Sequence, residues 1–328
     1  MQWAVITLLS ILGTLLVVLI VAMTKYFQLS RIQIAVEKAW YDDGICTGKD
    51  DALECKLHVK DDLAPPPQSI LKNEFDPKLA LRMVDYVARI EMDEITLPPK
   101  HIEVDRYNPR YGPTFGIAWK NGTTLVIAFR ATVTHREIQD DLNAWQVSWE
   151  TGERISIPHP TKSSDLNING ETPNVHSGFY GVFSMFISQV LETIGAHKPS
   201  VLLVAGHSLG GGVATLMTMK IAELMGVDTR LSSISQLGCY VYGTPRVGNG
   251  KFDQRLRSNK KINTFWRVVN DADDIQKLPI RVMPNFKYPD ESPFYYEHSG
   301  PAYTYYDQWG TRRVNHFLPN YMNHLNLL

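Results

Sequence analysis

Apolar and polar positions divide this chain into three regimes. Residues 3–24 contain no charged side chain, and Leu, Val and Ile dominate them. A run of about 22 residues, at 1.5 Å rise each, is long enough to cross a hydrocarbon core of about 30 Å. Residues 26–75 show no sustained period and read as a stalk, with Pro65-Pro66-Pro67 as its stiff part. From residue 76 onward, short apolar runs alternate with stretches of helical period. Asp76-Pro77 reads as a helix N-cap and first helical residue, and Leu79, Met83, Tyr86, Val87 and Ile90 give the helix one apolar face. Residues 115–119 and 124–129 predict a hairpin around Asn121-Gly122. Residues 201–205 form a continuously apolar run, as in a strand buried on both faces. Residues 209–225 predict a helix, and residues 237–242 and 264–269 two further core strands. Strands alternating with helices imply an α/β fold with a largely parallel sheet.

Composition refines this picture only slightly. The chain has 328 residues, 44% hydrophobic and 20% charged, with a net charge of −1. That suffices for one large α/β domain and gives no electrostatic basis for binding nucleic acid. The predicted organisation is a transmembrane signal anchor over residues 1–25, a stalk over 26–75 and a folded α/β domain over 76–328. A cleavable signal peptide is the competing reading of the first segment, but Met1-Gln2-Trp3 supplies no basic start and no Ala-x-Ala site follows. Lys25, Arg31 and Lys38 flank the apolar run on its C-terminal side, which argues for a cytosolic domain. Cys46 and Cys55, close enough to form a disulfide loop, and the sequon Asn121-Gly122-Thr123 argue for the lumenal side of the secretory pathway. The reading adopted is a single-pass membrane protein with the α/β domain on the lumenal side. Cys239 sits in an apolar run and reads as a core residue.

The sharpest chemical signal is Gly206-His207-Ser208-Leu209-Gly210, followed by Gly211 and Gly212. A G-x-S-x-G between a buried strand and a helix makes Ser208 a nucleophile on a tight elbow, with the N–H of Leu209 aimed at a developing oxyanion. A phosphate-cradling loop is the alternative, but no Lys-Ser or Lys-Thr follows. There is no H-E-x-x-H and no paired C-x-x-C, so no metal or cofactor is implied.

From about residue 76 to the end, the chain resembles the fungal-type lipases, lipase class 3 of the α/β-hydrolase superfamily. The motifs that carry the resemblance are Phe129-Arg130-Ala131-Thr132, Val175-His176-Ser177-Gly178-Phe179, the serine elbow, Tyr242-Gly243-Thr244-Pro245-Arg246-Val247-Gly248-Asn249, and Asp273 through Pro279. The resemblance implies an α/β-hydrolase fold, a lipid ester substrate and a triad in the order Ser, Asp, His. Asp271, Asp273 and Asp274 all follow the strand over 264–269. The family's spacing to a Leu-Pro step selects Asp273, with Asp274 as the alternative acid. His298, His316 and His324 follow the acid. The family's base lies near the C-terminus, after a Pro and directly before a Leu, which points to His324 in Pro319-Asn320-Tyr321-Met322-Asn323-His324-Leu325, with His298 as the alternative base. On this reading Leu325, Leu327 and Leu328 should be buried to hold the base in place.

The resemblance further implies Thr132 as the second oxyanion donor beside Leu209, and Asp141 as the residue that orients it. Ala131 replaces the family's usual Gly before that donor. Residues 133–140 correspond to the family's lid, here poor in apolar residues, and Ile275 and Leu325 match positions lining its acyl groove. His176 and His207 are expected to support the elbow. Residues 151–173 look like a polar insertion without readable chemistry. The function expected is a serine lipase or esterase cleaving acylglycerol esters through an acyl-enzyme. Phospholipase or other carboxylesterase activity is the alternative, and a catalytically inactive, membrane-tethered binding module is the rival of another class.

Overall fold

The computed structural model describes residues 71–91, 98, 100–110, 113–131, 145–155, 172–283, 293–308 and 314–328, together with the backbone of Cys46–Thr47 and Glu54–Cys55. The chain divides into two compact units, Met1–His58 and Val59–Leu328. In the first, the two short strands pair antiparallel with Cys46 opposite Cys55. The predicted anchor over 1–25, and the stalk except for those two strands and 71–75, lie outside the described residues.

The second unit is built on a seven-stranded sheet in the order β7-β6-β5-β4-β3-β2-β1. Its strands are β1 (Ile102–Tyr107), β2 (Gly116–Asn121), β3 (Thr124–Phe129), β4 (Val201–His207), β5 (Gln236–Tyr242), β6 (Thr264–Asn270) and β7 (Ala302–Tyr305). From β3 to β7 every neighbouring pair is parallel, whereas β1, β2 and β3 form an antiparallel meander. The predicted hairpin is present with its turn displaced by one residue. Asn121 pairs with Thr124, so Gly122-Thr123 is the two-residue loop, and Gly122 takes the positive φ (56°) that only its missing Cβ makes easy.

Helices cover both faces: α1 (Pro77–Glu91), α2 (Ser177–His197), α3 (Leu209–Leu224), α4 (Gly250–Ser258) and α5 (Leu318–Asn326). The strand period of two separates the faces. Leu202 and Val204, with Leu237, Cys239 and Val241, join the buried cluster that contains α2 and α3 side chains. The alternating residues meet α1: the rings of Tyr86 and Trp119 lie 5.4 Å apart, and the Tyr242 hydroxyl donates to the carbonyl of Ala80. Burial on both faces explains why the central strands are apolar without alternation. Asp76 caps α1 as its sequence signature requires, its Oδ1 accepting from the N–H groups of Lys78 and Leu79. The folded unit begins earlier than residue 76, because Leu71 is buried and Phe75 stacks on Tyr303 at 4.0 Å. By length and composition α2 could cross a membrane, but Phe179, Val182, Phe183, Phe186, Val190 and Ile194 are buried in the core. Cys239 is a core residue, its thiol pushed up to about 12 by burial.

Candidate active site

The elbow lies where β4 ends and α3 begins. Ser208 stands between them at φ 52° and ψ −122°, a conformation that costs a non-glycine residue about 1–3 kcal/mol. Its surroundings enforce it. The Ser208 N–H donates to the carbonyl of Tyr242 at 3.0 Å. A side chain at Gly206 would collide with the Gly210 carbonyl, and one at Gly210 with the carbonyls of Phe129 and Arg130. Close packing of bare backbone is thus what the two motif glycines supply. Although Ser208 occupies the N-cap position of α3, its hydroxyl makes no capping bond. It is directed instead at a histidine.

That histidine is His316. The Ser208 hydroxyl donates to Nε2 of His316 at 2.8 Å, and Nδ1 of His316 donates to Oδ2 of Asp273 at 2.7 Å. The directions follow from proton counting. Asp273 Oδ2 also accepts the Tyr321 hydroxyl at 2.6 Å and its Oδ1 the N–H of Ile275 at 2.8 Å, so the carboxylate is acceptor only and Nδ1 carries the ring hydrogen. Asp273 is fully buried. Burial pushes its carboxyl up, but the charge of His316, the His316 and Tyr321 bonds and the Ile275 N–H outweigh that and hold it below the ordinary carboxylate range. Asn270, at the end of β6, fixes the acid loop by accepting from the N–H groups of Ala272 and Asp307. Asn315 ties the other side, donating to the carbonyl of Ala272 at 3.1 Å. Gly243 takes φ +51° between β5 and this cluster, and a Cβ there would lie 3.0 Å from Asp273 Oδ2 and 3.1 Å from His316 Cε1.

Two expected bases are corrected. His324 lies on α5, eight residues beyond His316, where it stacks on Tyr305 at 3.5 Å and shares a bond with the Tyr303 hydroxyl at 3.2 Å. The bond to Ser208 comes instead from the short turn Val314–His316 just before that helix. The helix turns Tyr321 toward the acid, and His324 faces β7. Of the terminal leucines only Leu325 is buried, while Leu327 and Leu328 are exposed. His298 is not the partner either. It lies among Arg267 and Arg246, and burial with those two charges depresses it to about 3, leaving it neutral with its Nδ1 buried and unbonded. Asp273, not the alternative Asp274, meets the histidine; Asp274 pairs with Lys277 at the surface, 3.2 Å away.

On the oxyanion side, Leu209 is the first residue of α3, so its N–H is one of the four without an intrahelical acceptor and sits at the positive end of the helix dipole. Thr132, Asp141 and the expected lid over 133–140 lie outside the described residues. The stem leading to them is fixed by Arg130. That buried guanidinium donates to the carbonyls of Thr114 at 2.8 Å and Ala131 at 2.6 Å. His176 caps α2, its Nδ1 accepting from the N–H groups of Gly178 and Phe179. Ile275 is half-buried beside the acid, whereas Leu325 is packed in the interior and unavailable to a ligand. Of the polar insertion, only 151–155 and 172–173 are described.

If the triad operates, Asp273→Asn should lower kcat by about 10⁴-fold, because an amide N–H facing Nδ1 enforces the wrong imidazole tautomer. Asp274→Asn should change it little. Initial rates on a soluble ester, with the two purified variants side by side, check the ranking.

Residues 126–283 match the class 3 lipase family. The chain is 32% identical over 166 residues to the chloroplastic phospholipase A1-Igamma1 of Arabidopsis thaliana, covering 47% of this chain and 31% of the relative. It is 31% identical over 167 residues to the triacylglycerol lipase OBL1 of Ricinus communis, covering 49% and 28%. It therefore spans about a third of the length of the curated relatives it matches. The solved triacylglyceride lipase of Rhizomucor miehei covers 70% of this chain and 78% of its own at 21% identity, with a TM-score of 0.46. The matched stretch holds Ser208 and Asp273 in the order found at the site and ends before His316. Over residues 126–283, just under half of its length, the chain is similar to the class 3 lipases.

Proposed function

We propose that this chain is a serine hydrolase cleaving the carboxylic ester bonds of acylglycerols, with Ser208 as nucleophile, His316 as general base and acid, and Asp273 orienting the imidazole. The observation that carries this reading is the unbroken relay from Ser208 Oγ through both His316 nitrogens to a buried carboxylate. As Oγ attacks the ester carbonyl carbon, Nε2 takes the hydroxyl proton and Asp273 stabilises the resulting imidazolium. The oxyanion forms toward the Leu209 N–H, a type of donor worth about 2.7–4 kcal/mol in the transition state. The alcohol leaves with the proton from Nε2, giving an acyl-enzyme. Water, deprotonated by the same nitrogen, releases the acid and restores Ser208. Thr132 is the proposed second donor, and Asp141 the residue that orients it.

The family and the names of the relatives support lipid esters, and they favour acylglycerols and phospholipids over other classes. Leu278, Ile280 and Val282, exposed on the segment leaving the triad acid, suit an apolar substrate. The test is a panel of triacylglycerol emulsion, phosphatidylcholine vesicles and a soluble short-chain ester. Fastest turnover on triacylglycerol is expected. Preference for phosphatidylcholine would replace the acylglycerol assignment with a phospholipase, and no turnover of any ester would leave a binding module.

The proposal extends to place. Residues 1–25 tether the enzyme to a membrane of the secretory pathway with its catalytic unit on the lumenal side. The uncharged run over 3–24 and the register that sets Cys46 opposite Cys55 support this. Glycosylation-site mapping that finds the catalytic unit cytosolic would overturn it.

A further inference from the structure

Three segments from distant parts of the chain converge on Ser208, and one buried pair joins them. Glu91 is the last residue of α1. Its Oε1 accepts the N–H of Ala131 at 2.7 Å, at the stem that leads to Thr132, and lies 2.8 Å from Nδ1 of His207. On the other side of the same ring, Nε2 of His207 lies 2.8 Å from the carbonyl oxygen of His316. A single side-chain pair thus touches the oxyanion-side stem, the residue before Ser208 and the backbone of the triad histidine.

Proton counting fixes its charge. A carbonyl oxygen only accepts, so Nε2 carries a hydrogen. The Ala131 N–H on Glu91 Oε1 favours the ionised carboxylate, which leaves Nδ1 as the donor in the remaining bond. With both nitrogens donating, His207 is an imidazolium. Burial raises Glu91, but the charge and bond of His207, with smaller help from Ala131 and His316, hold it below its ordinary range. Burial lowers His207, but the charge and bond of Glu91, together with Asp273 and the His316 carbonyl, hold it above its own. The groups facing the ring are Glu91 from α1, Asp273 from the loop after β6, His316 from the turn before α5, and Tyr321 of α5 with its ring 6.0 Å away.

A buried ion pair is a poor source of stability, because desolvation costs about what the attraction returns. What this pair does supply is position. We propose that Glu91 and His207 are positioning residues for ester hydrolysis, a charged clamp that keeps the His316 backbone and the Ala131 stem in register with Ser208; this rests on the triad reading above. The clamp has a pH signature. The imidazolium is present below the raised folded-state value of His207 and is lost as pH rises through it. Deprotonation leaves one ring nitrogen without its hydrogen and sets a lone pair against the Glu91 carboxylate or the His316 carbonyl, and the clamp opens on that side. In Glu91→Gln a single amide oxygen takes over both contacts of Oε1; it still accepts from Ala131 but carries no charge, so the imidazolium of His207 is less favoured and is lost at lower pH.

The experiment uses the full chain and reads two quantities per folded molecule: kcat and KM on a soluble ester, and the rate of fluorophosphonate labelling, from about pH 6 to about pH 10. Glu91→Ala should lose about 10²-fold in kcat and in labelling rate, the scale of a misplacement near 1 Å, with KM changed less than about threefold. Glu91→Gln should retain most of the activity near the acidic end of the range and show its alkaline limb at lower pH than the parent. A parent that does not label overturns the triad reading and this proposal with it. A parent that labels, beside a folded Glu91→Ala that labels as fast, overturns the clamp alone. Where Glu91→Ala fails to fold, an alkaline limb unchanged in Glu91→Gln overturns it.

Discussion

Replacing His316 by Ala is expected to lower kcat on a soluble ester by about 10⁶-fold, the scale seen when a serine triad loses its base. Among the described residues no other group bonds the Ser208 hydroxyl, so there His316 alone is placed to take its proton. His324→Ala should stay within a few-fold of the parent. That ring contributes its stack on Tyr305 and its bond to Tyr303, at roughly 1–2 kcal/mol of stability. Initial rates of the two purified variants, with near-ultraviolet circular dichroism to show that each is folded, decide between the histidines. Loss of activity in His324→Ala with retention in His316→Ala would reverse the assignment.

Ser208→Ala is expected to be equally severe, about 10⁶-fold in kcat, and to keep the fold. The methyl group occupies the same strained backbone position, held by the Tyr242 carbonyl and the glycines around it. What is removed is one hydrogen bond to His316, worth about 1 kcal/mol. A thermal melt within a few degrees of the parent, together with loss of ester turnover, is the expected pair of results. Substantial turnover by the folded variant would remove Ser208 from the mechanism.

The fold was legible wherever burial on two faces writes itself as an apolar run. Strands β4, β5 and β6, the capped helix α1 and the hairpin could all be read from local pattern, because turn residues and caps act within a few positions. The elbow was legible for the same reason: Gly206 and Gly210 are demanded by backbone contacts that only a strand–helix turn creates. Asp273 was within reach because the acid loop and its Leu-Pro step follow β6 at a short fixed distance.

The base was not legible, for a physical reason. Several loops separate the acid from the C-terminus, and the family match stops at residue 283. Spacing therefore carries no constraint from Asp273 to the last histidine. His316 sits in one turn of 3₁₀ helix before α5, and His324 one helix later sits beside the same Pro and Leu signals. Only tertiary contact separates them: Tyr321 reaching Asp273 from α5, and Tyr305 stacking His324 away from it. Glu91 was invisible for a similar reason, since its partners His207 and Ala131 are 116 and 40 residues away.

The most direct test of the central claim is to label the full chain with a fluorophosphonate and locate the adduct by peptide mass spectrometry. Only a serine whose proton can be removed by an adjacent base reacts at a useful rate. A single adduct on Ser208, formed in the parent and in His324→Ala and absent from His316→Ala, is the result this account predicts. No adduct in the parent, or an adduct on Ser208 that survives His316→Ala, would contradict it.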